Sequence, residues 1–245
     1  MEDIGPEFIR KTRYPDFSTV DLIKRVPQPL FELPVPKGAV VQKLPDPSKV
    51  PVLDITIKEA FDRWEHIMFF NRSSITFEEL SFLLWYTQGV RGMVSDHITI
   101  RNIPSSGSRY PLETYFVAQE VEGLKTGLYR YLPLSHSIVT QREDTDILLE
   151  VATASMTFQV VTRAAVTFIY VAIPYRATWA LGNRGYRSVL LDAGHTSQAL
   201  IFAAACIGCG ARPIDLFHDE YVMNLARLDP ETQWPVYLAA IGKNE

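Results

Sequence analysis

The chain is poor in residues that bind metals or form crosslinks. Its 245 residues include only two cysteines and five histidines. Two cysteines provide neither a disulfide framework nor a four-cysteine zinc site, and no HExxH or other two-histidine pattern occurs. Asp192 and His195 are three residues apart on a predicted helix and could share a metal. Hydrogen-bonded helix residues are the simpler interpretation, so we expect no metal.

Positive charge and long apolar runs are also scarce. The 24 Lys and Arg residues are outnumbered by 28 Asp and Glu residues, which gives a net charge of −4. No basic surplus is left to neutralise phosphates, so a nucleic-acid partner is not expected. No uninterrupted apolar run reaches the roughly 18 residues of a membrane helix, and the acidic start MEDIGPEFIRK lacks the apolar part of a signal peptide. We therefore predict a cytoplasmic protein without a membrane partner.

Common catalytic motifs are missing as well. The sequence has no G-x-S-x-G, G-x-G-x-x-G or Walker loop, which argues against a serine hydrolase, a Rossmann domain or a P-loop enzyme. The stretch CIGC matches the Cys-x-x-Cys redox pattern. It lies at the C-terminal end of a predicted helix, however, where the helix dipole disfavours a thiolate. We expect Cys206 and Cys209 to be structural.

Proline, in contrast, is concentrated at one end. Nine of the 16 prolines precede residue 52, and this segment shows little apolar periodicity. We predict an extended arm over residues 1–54 and a single domain over residues 55–245. The arm carries many large apolar residues, so we expect it to lie on the body of the protein or on a partner subunit.

The remaining sequence predicts an α+β fold. Two capping boxes, Thr56 with Glu59 and Thr76 with Glu79, predict helices that run to Met68 and to Gly89. Strands are predicted at 114–120, 165–174 and 236–242, with a hairpin over 127–142. Residues 144–163 and 187–207 favour helices, and the second is rich in Ala, Gly and Ser. This second helix suits either the centre of the fold or a dimer interface.

Three polar loops each contain an arginine. They are 71–74 with Arg72, 103–111 with Arg109, and 210–217 with Arg212. Arginine, hydroxyls and turn amides together suit a phosphate-bearing cofactor. Loops of this composition are also common in proteins that bind no cofactor.

Three stretches carry a resemblance to a known family. PSSGSRYPLETY (104–115), GLYRY (127–131) and RGYRSVLLDAGHTSQAL (184–200) resemble the nitroreductase superfamily of FMN-dependent oxidoreductases. The most similar branch is that of the SagB-type dehydrogenases, which includes azoline-ring oxidases. The resemblance implies a central, mainly antiparallel sheet flanked by helices. It also implies a homodimer with FMN in a cleft between the subunits.

The resemblance also implies which residues bind FMN. Arg72 and Ser73 would contact the phosphate and ribityl end. The Pro-Ser-rich loop would pack along the isoalloxazine ring, and the loop after the Ala-rich helix would direct backbone N–H groups at the reactive edge. These two loops correspond to Pro104, Ser105, Ser106, Gly107 and Ser108, and to Pro213, Ile214, Asp215 and Leu216.

The chain departs from the family pattern in two places. Asn71 and Ile75 stand where the family usually has arginine, and Lys243, Arg109 or Arg101 could compensate. Ala180 and Leu181 stand where azoline oxidases carry a Lys-Tyr pair. We therefore expect hydride transfer through flavin N5 with NAD(P)H as donor, rather than efficient azoline oxidation. The substrate could be a small molecule or a modified peptide. The alternative is a family member that has lost catalysis and serves as a binding or scaffold subunit.

Overall fold

A seven-stranded sheet forms the centre of the protein. The structure, a computed structural model, describes residues 3–14 and 16–244. Outside the described residues lie Pro15 and the ends of the predicted arm and domain, which are Met1, Glu2 and Glu245. The strands are β1 (Val41–Lys43), β4 (Leu112–Ala118), β5 (Gly127–Leu132), β6 (Ser137–Arg142), β7 (Val166–Ala172), β8 (Gly210–Ile214) and β9 (Trp234–Gly242). Two further strands, β2 (Val90–Ser95) and β3 (Ile98–Arg101), form a separate hairpin.

The strand order is β1-β6-β5-β4-β7-β9-β8, and neighbouring strands are antiparallel. In the central strand β4, Phe116 pairs with Tyr129 of β5 and with Phe168 of β7. Both faces of β4 and β7 are buried, which explains why apolar residues occupy successive positions in both strands, apart from the buried Glu113, Thr114 and Thr167. The predicted α+β fold with a mainly antiparallel sheet is confirmed.

Helices cover both faces of this sheet. The α-helices in the described part of the chain are α1 (Ile4–Lys11), α2 (Ile57–Asp62), α3 (Phe77–Gln88), α4 (Asp146–Ala154), α5 (Phe158–Val161), α6 (Pro174–Leu181), α7 (Arg184–Cys206) and α8 (Asp219–Ala226). Helices α3 and α7 pack on one face, in the core cluster that contains Leu83, Phe168 and Leu200. Helices α4, α5 and α8 pack on the other face, around Val151 and Ile169.

Both capping boxes are present, but they begin helices of different length. Thr76 and Glu79 begin α3, which ends before Gly89 as predicted. Thr56 and Glu59 begin α2, which ends at Asp62 and not at Met68. The longer prediction is wrong because the chain beyond Asp62 leaves the helix and enters the core. Phe70 there is completely buried and pairs with Asn244, so tertiary packing overrides the helical spacing.

The structure also contains the predicted hairpin, as β5–β6, and the predicted last strand, as β9. The predicted helical stretch 144–163 forms the two helices α4 and α5. Helices α6 and α8 were not predicted. The long helix runs over 184–206, close to its predicted limits. Within the described residues, α7 is the helix that is long and apolar enough to cross a membrane by length and composition. Half of its apolar window is buried inside the protein, as in the core helix of a globular fold.

The Pro-rich segment lies on the body and is partly regular. It contains the helix α1 and the edge strand β1, which pairs with β6. Between them, backbone groups are held by buried arginines. Arg101 donates to the Phe31 carbonyl, and Arg130 donates to the carbonyls of Leu33 and Pro34.

Candidate functional site

The loop that contains Arg72 lies beside the end of the last strand. The Asn71 N–H donates to the Lys243 carbonyl over 3.1 Å, and the Ser73 N–H donates to Asn71 Oδ1 over 2.8 Å. Arg72 is exposed and has a φ of 63°, a left-handed conformation that is uncommon for a residue with a side chain. The structure therefore brings three of the predicted residues, Arg72, Ser73 and Lys243, into one region.

Lys243 is already engaged in an ion pair. Its Nζ lies 2.6 Å from Glu79 Oε1 and 3.3 Å from the Ile207 carbonyl. Burial opposes the lysine charge, but the interactions with Glu79 and Cys209 together outweigh it and raise the pKa of Lys243. A phosphate at this place would share Lys243 with Glu79. The Glu79 carboxylate is also part of the α3 capping box.

The Pro-Ser loop is an exposed turn with a special backbone. Pro104, Ser106 and Gly107 are exposed, and Gly107 and Ser108 have φ values of 63° and 54°. A Cβ atom at Gly107 would meet only the Arg109 side chain, at 3.7 Å. The exposed backbone leaves one face of this loop open to a flat ligand.

A buried carboxylate holds this loop to α7. Asp192 Oδ2 accepts a hydrogen bond of 2.5 Å from Ser105 Oγ, which accepts one of 2.9 Å from the Tyr110 N–H. Burial raises the pKa of Asp192, and the Ser105 hydroxyl opposes this shift. His195 Nδ1 lies 3.9 Å from Asp192 Oδ1. The sequence placed Asp192 and His195 on one helix, but nothing in it indicated contact with Ser105, 87 residues away.

The third predicted segment begins as a strand. Residues 210–214 form the edge strand β8, so the interpretation of 210–217 as a loop is wrong over its first five residues. The pairing of Pro213 and Ile214 with β9 gives this stretch its regular structure. Ile214 is buried, while Asp215 and Leu216 follow the strand and are exposed. The Leu216 carbonyl accepts from the Met156 N–H.

The Pro-Ser loop and the region of Arg72, Ser73 and Lys243 lie at different levels along α7. Ser105 contacts Asp192 near the middle of the helix, whereas Lys243 reaches Ile207 just past its end. Fifteen residues at a rise of 1.5 Å separate these levels by roughly 22 Å. Arg72 and the Pro-Ser loop are therefore far apart along this axis.

The outer face of α7 carries exposed apolar residues, interrupted by the exposed His195 and Gln198. Leu190 and Leu191 are each 53% exposed, and no atom lies within 4 Å of the Cβ position of Gly194. Near the C-terminal end, the exposed Phe61 of α2 packs edge-on against Phe202. Exposed apolar residues mark an interaction surface where they form a contiguous patch.

The other arginines differ in how freely they could contact a ligand. Arg101 is buried and donates to Gln88 Oε1 and to the Phe31 carbonyl. Burial and the nearby Arg176 lower its pKa to about 10. Arg212 donates to the Ile67 carbonyl. Arg109 in the Pro-Ser loop and Arg212 in the third segment are both half-buried, so neither side chain is closed off as Arg101 is.

The cysteine pair lies at the C-terminal end of α7, as predicted. Cys206 is the last helical residue, and Cys209 is buried just before β8. Burial raises the pKa of both thiols, that of Cys209 to about 11. Both groups are therefore protonated near neutral pH, which fits a structural role better than a redox role.

Comparison with known proteins agrees with the fold. The model of the Nitroreductase family matches residues 67–243. The chain is 29% identical over 201 residues to "Putative nitroreductase MJ1384" of Methanocaldococcus jannaschii. This alignment covers 82% of the chain and 95% of the relative.

Solved structures show the same fold. One is a "putative nitroreductase" from Anabaena variabilis, with a TM-score of 0.70 and 22% identity over 96% of this chain; the chain spans only 45% of that protein. Another is the Escherichia coli microcin synthetase McbBCD complex with truncated pro-MccB17 bound, with a TM-score of 0.65 and 21% identity over 99% of this chain and 92% of the other. A third is a "putative NAD(P)H:FMN oxidoreductase" from Staphylococcus epidermidis, with a TM-score of 0.57 and 14% identity over 80% and 90% of the two chains.

Proposed function

Because the chain belongs to the Nitroreductase family, we propose that it is an FMN-dependent oxidoreductase of the SagB-type branch, with flavin N5 as the hydride-transfer atom. The observation that carries this proposal is the pair of exposed, left-handed turns at Arg72 and at Gly107–Ser108. Each lies in a segment that resembles a flavin-binding loop. An exposed arginine suits the phosphate end, and an exposed glycine turn suits the ring.

The residues present fit FMN. Arg72 is exposed, so its charge would be accessible to the phosphate. The Ser73 hydroxyl and the partly neutralised Lys243 lie in the same region. In the other segment, the Ser105–Asp192 hydrogen bond fixes the loop, so that little backbone ordering remains to oppose ligand binding.

We propose that two subunits share each flavin site. The separation of roughly 22 Å along α7 leaves the two segments of one subunit poorly placed for a single ligand. The outer face begins with Leu190, Leu191 and Gly194 at the level of Asp192, and it continues along α7 towards Phe202. A second copy packed on this face would bring its Pro-Ser loop near the Arg72 region of the first. This proposal deepens the homodimer implied by the resemblance.

The cofactor would supply the redox chemistry, and the chain would supply position and electrostatics. Asp192 holds the Pro-Ser loop through Ser105 and retains a proton more readily than an exposed aspartate, because burial raises its pKa. Ala180 and Leu181 offer no titratable group for proton removal from carbon. A nicotinamide donor and a small acceptor require no such base, so we favour this reaction over azoline oxidation.

The proposal is tested by the colour and the reduction of the purified protein. We expect flavin absorption that is released as FMN on denaturation, with one FMN per subunit, and bleaching by NADH or NADPH without oxygen. In parallel, mass spectrometry of a thiazoline-containing peptide should show no rapid loss of two daltons. Rapid ring oxidation without bleaching by nicotinamide would contradict the proposed electron donor.

A second candidate function is a binding or scaffold subunit without catalysis. The observation in its favour is the Lys243–Glu79 ion pair, which reduces the positive charge beside Arg72. The McbBCD neighbour was solved as part of a complex with a bound peptide precursor. A colourless protein that gives no heat with added FMN in calorimetry would favour this second function.

A further inference from the structure

A cavity lies beside the Pro-Ser loop, between that loop, α6 and the N-terminal segment. Its volume is about 750 Å³, within the range of small-molecule sites. Gly107 and Arg109 form one side, and Trp179 and Ala180 form another. Residues 17–28 close the third side with apolar groups that include Val20 and Leu22.

Hydrogen bonds hold the N-terminal segment over this cavity. The Leu22 N–H donates to the Trp179 carbonyl over 3.0 Å, and Trp179 Nε1–H donates to the Val26 carbonyl over 3.0 Å. Further along, Gln28 Nε2 donates to the His97 carbonyl over 3.1 Å. Residues 22–28 are thus held to Trp179 by two hydrogen bonds and to His97 by a third, so fixed contacts of the fold form the cavity.

The cavity combines an apolar lining with positive charge. Among the described residues that line it, two are arginines, one is a histidine, and none is an aspartate or glutamate. The Arg109 guanidinium lies 5.4 Å from the centre of the Trp179 ring. Its Nε donates to the Gly107 carbonyl and its Nη2 to the His97 carbonyl. Neither contact uses Nη1, whose two N–H groups could donate to an anion.

From this arrangement we propose that the cavity binds a small, flat apolar molecule that carries a carboxylate, with the carboxylate on Arg109 and the apolar part between Trp179 and the N-terminal segment. Arginine recognises carboxylates through paired N–H groups. The position of the Arg109 guanidinium over the Trp179 ring and its two carbonyl contacts hold it in place. Since Gly107 belongs to both the cavity and the proposed flavin loop, the bound molecule is the oxidoreductase substrate. This last assignment rests on the proposed function, whereas binding itself does not.

Calorimetry with 4-nitrobenzoate and its neutral counterpart 4-nitrobenzamide tests the proposal on the full-length protein without reductant. We expect the carboxylate to bind about tenfold more tightly than the amide, because a charge-assisted hydrogen bond contributes about this factor. Arg109→Gln should remove this preference and keep amide binding. Arg10→Gln, which removes the same charge from the exposed helix α1, should change neither.

Ala180→Trp provides a second, steric test. Ala180 is a buried part of the wall, so a tryptophan there should fill the cavity and abolish binding of both compounds. Circular dichroism would confirm that each variant is folded. Equal affinity of the two compounds for the unmodified protein, or unchanged binding in a folded Ala180→Trp variant, would overturn the proposal. A flavin-free protein that still shows the expected pattern would support the binding site and contradict only its role as a substrate site.

Discussion

The arginines beneath the N-terminal segment and the arginine of the 71–74 loop occupy opposite environments. Arg130 and Arg176 are almost completely buried, and both contact the carboxylate of Glu113, which is also buried. Arg72 is exposed in a left-handed turn. The buried arginines have their partners within the fold. Arg72 instead has a strained backbone and an open side chain, which is the pattern of a group kept for a ligand.

This comparison separates structural charge from candidate functional charge. The Glu113 carboxylate also accepts from the Leu33 N–H over 2.8 Å, so one buried group joins the sheet, α6 and the N-terminal segment. Nothing in the fold requires a positive charge at position 72 in the same way. Substitutions at the two places should therefore affect different properties.

The largest effect is expected from Glu113→Gln. It would leave two buried arginines without their shared carboxylate, and breaking a buried ion pair costs about 3–5 kcal/mol. Urea unfolding followed by circular dichroism should show this loss in the free energy of unfolding. Glu231→Gln, on an exposed turn, is the matched control and should change stability by less than about 0.5 kcal/mol. Equal stability of both variants would mean that the buried network does not hold the segment.

Arg72→Ala should leave stability nearly unchanged and weaken FMN binding. The loss of a charge-assisted phosphate contact costs roughly 1.5–3 kcal/mol. Titration of the apoprotein with FMN measures this change, and Arg91→Ala on the β2–β3 hairpin is the control for charge. An unfolded Arg72→Ala variant, or unchanged FMN affinity, would place Arg72 with the structural arginines.

Asp192→Asn should change the pH dependence of stability in acid. Burial raises the pKa of Asp192 in the folded protein, so the folded state binds its proton more tightly than the unfolded state, where the pKa is about 3.9. The wild type should therefore lose stability relative to the variant as pH rises from about 3.9 through the raised pKa, and the difference should then become constant. Denaturant unfolding at several pH values measures it. A constant difference across the acidic range would show that Asp192 is not perturbed.

The smallest effect on activity is expected from the double variant Cys206→Ser and Cys209→Ser. Both thiols are protonated near neutral pH because burial raises the pKa of each. The variant should keep its flavin content and its rate of flavin reduction. Stopped-flow bleaching by NADPH compares it with the wild type. A large loss of rate in a folded variant would assign the pair a redox role.

Local sequence signals correctly predicted the elements that depend on nearby residues. They failed where contacts between distant parts of the chain determine the structure. Capping boxes and glycine marked both ends of α3, because these signals act within a few residues. The same signal gave only the start of α2, since the burial of Phe70 against the end of β9 depends on contacts far along the chain. The strand at 210–214 was missed because Gly210 and Pro213 disfavour a strand locally, while pairing with β9 imposes one.

In the candidate site, too, the sequence predicted local features but not the contacts between distant residues. The sequence placed Arg72 and the Pro-Ser loop in exposed turns through their composition, and the resemblance gave their roles. It could not show that Asp192 holds Ser105, or that Lys243 is paired with Glu79, because both contacts join distant parts of the chain. The sequence also could not predict the cavity beside Trp179, because three separate segments of the chain form it.

A mixed-subunit experiment tests the shared flavin site most directly. Arg72→Ala subunits and Gly107→Val subunits, carrying different affinity tags, would be co-expressed and purified as heterodimers. Valine at Gly107 disturbs the left-handed turn, so either homodimer should bind FMN poorly. If each site takes Arg72 from one subunit and the Pro-Ser loop from the other, every heterodimer has one intact site. We predict recovery of one tightly bound FMN per heterodimer. Heterodimers as defective as both parent variants would contradict the shared site.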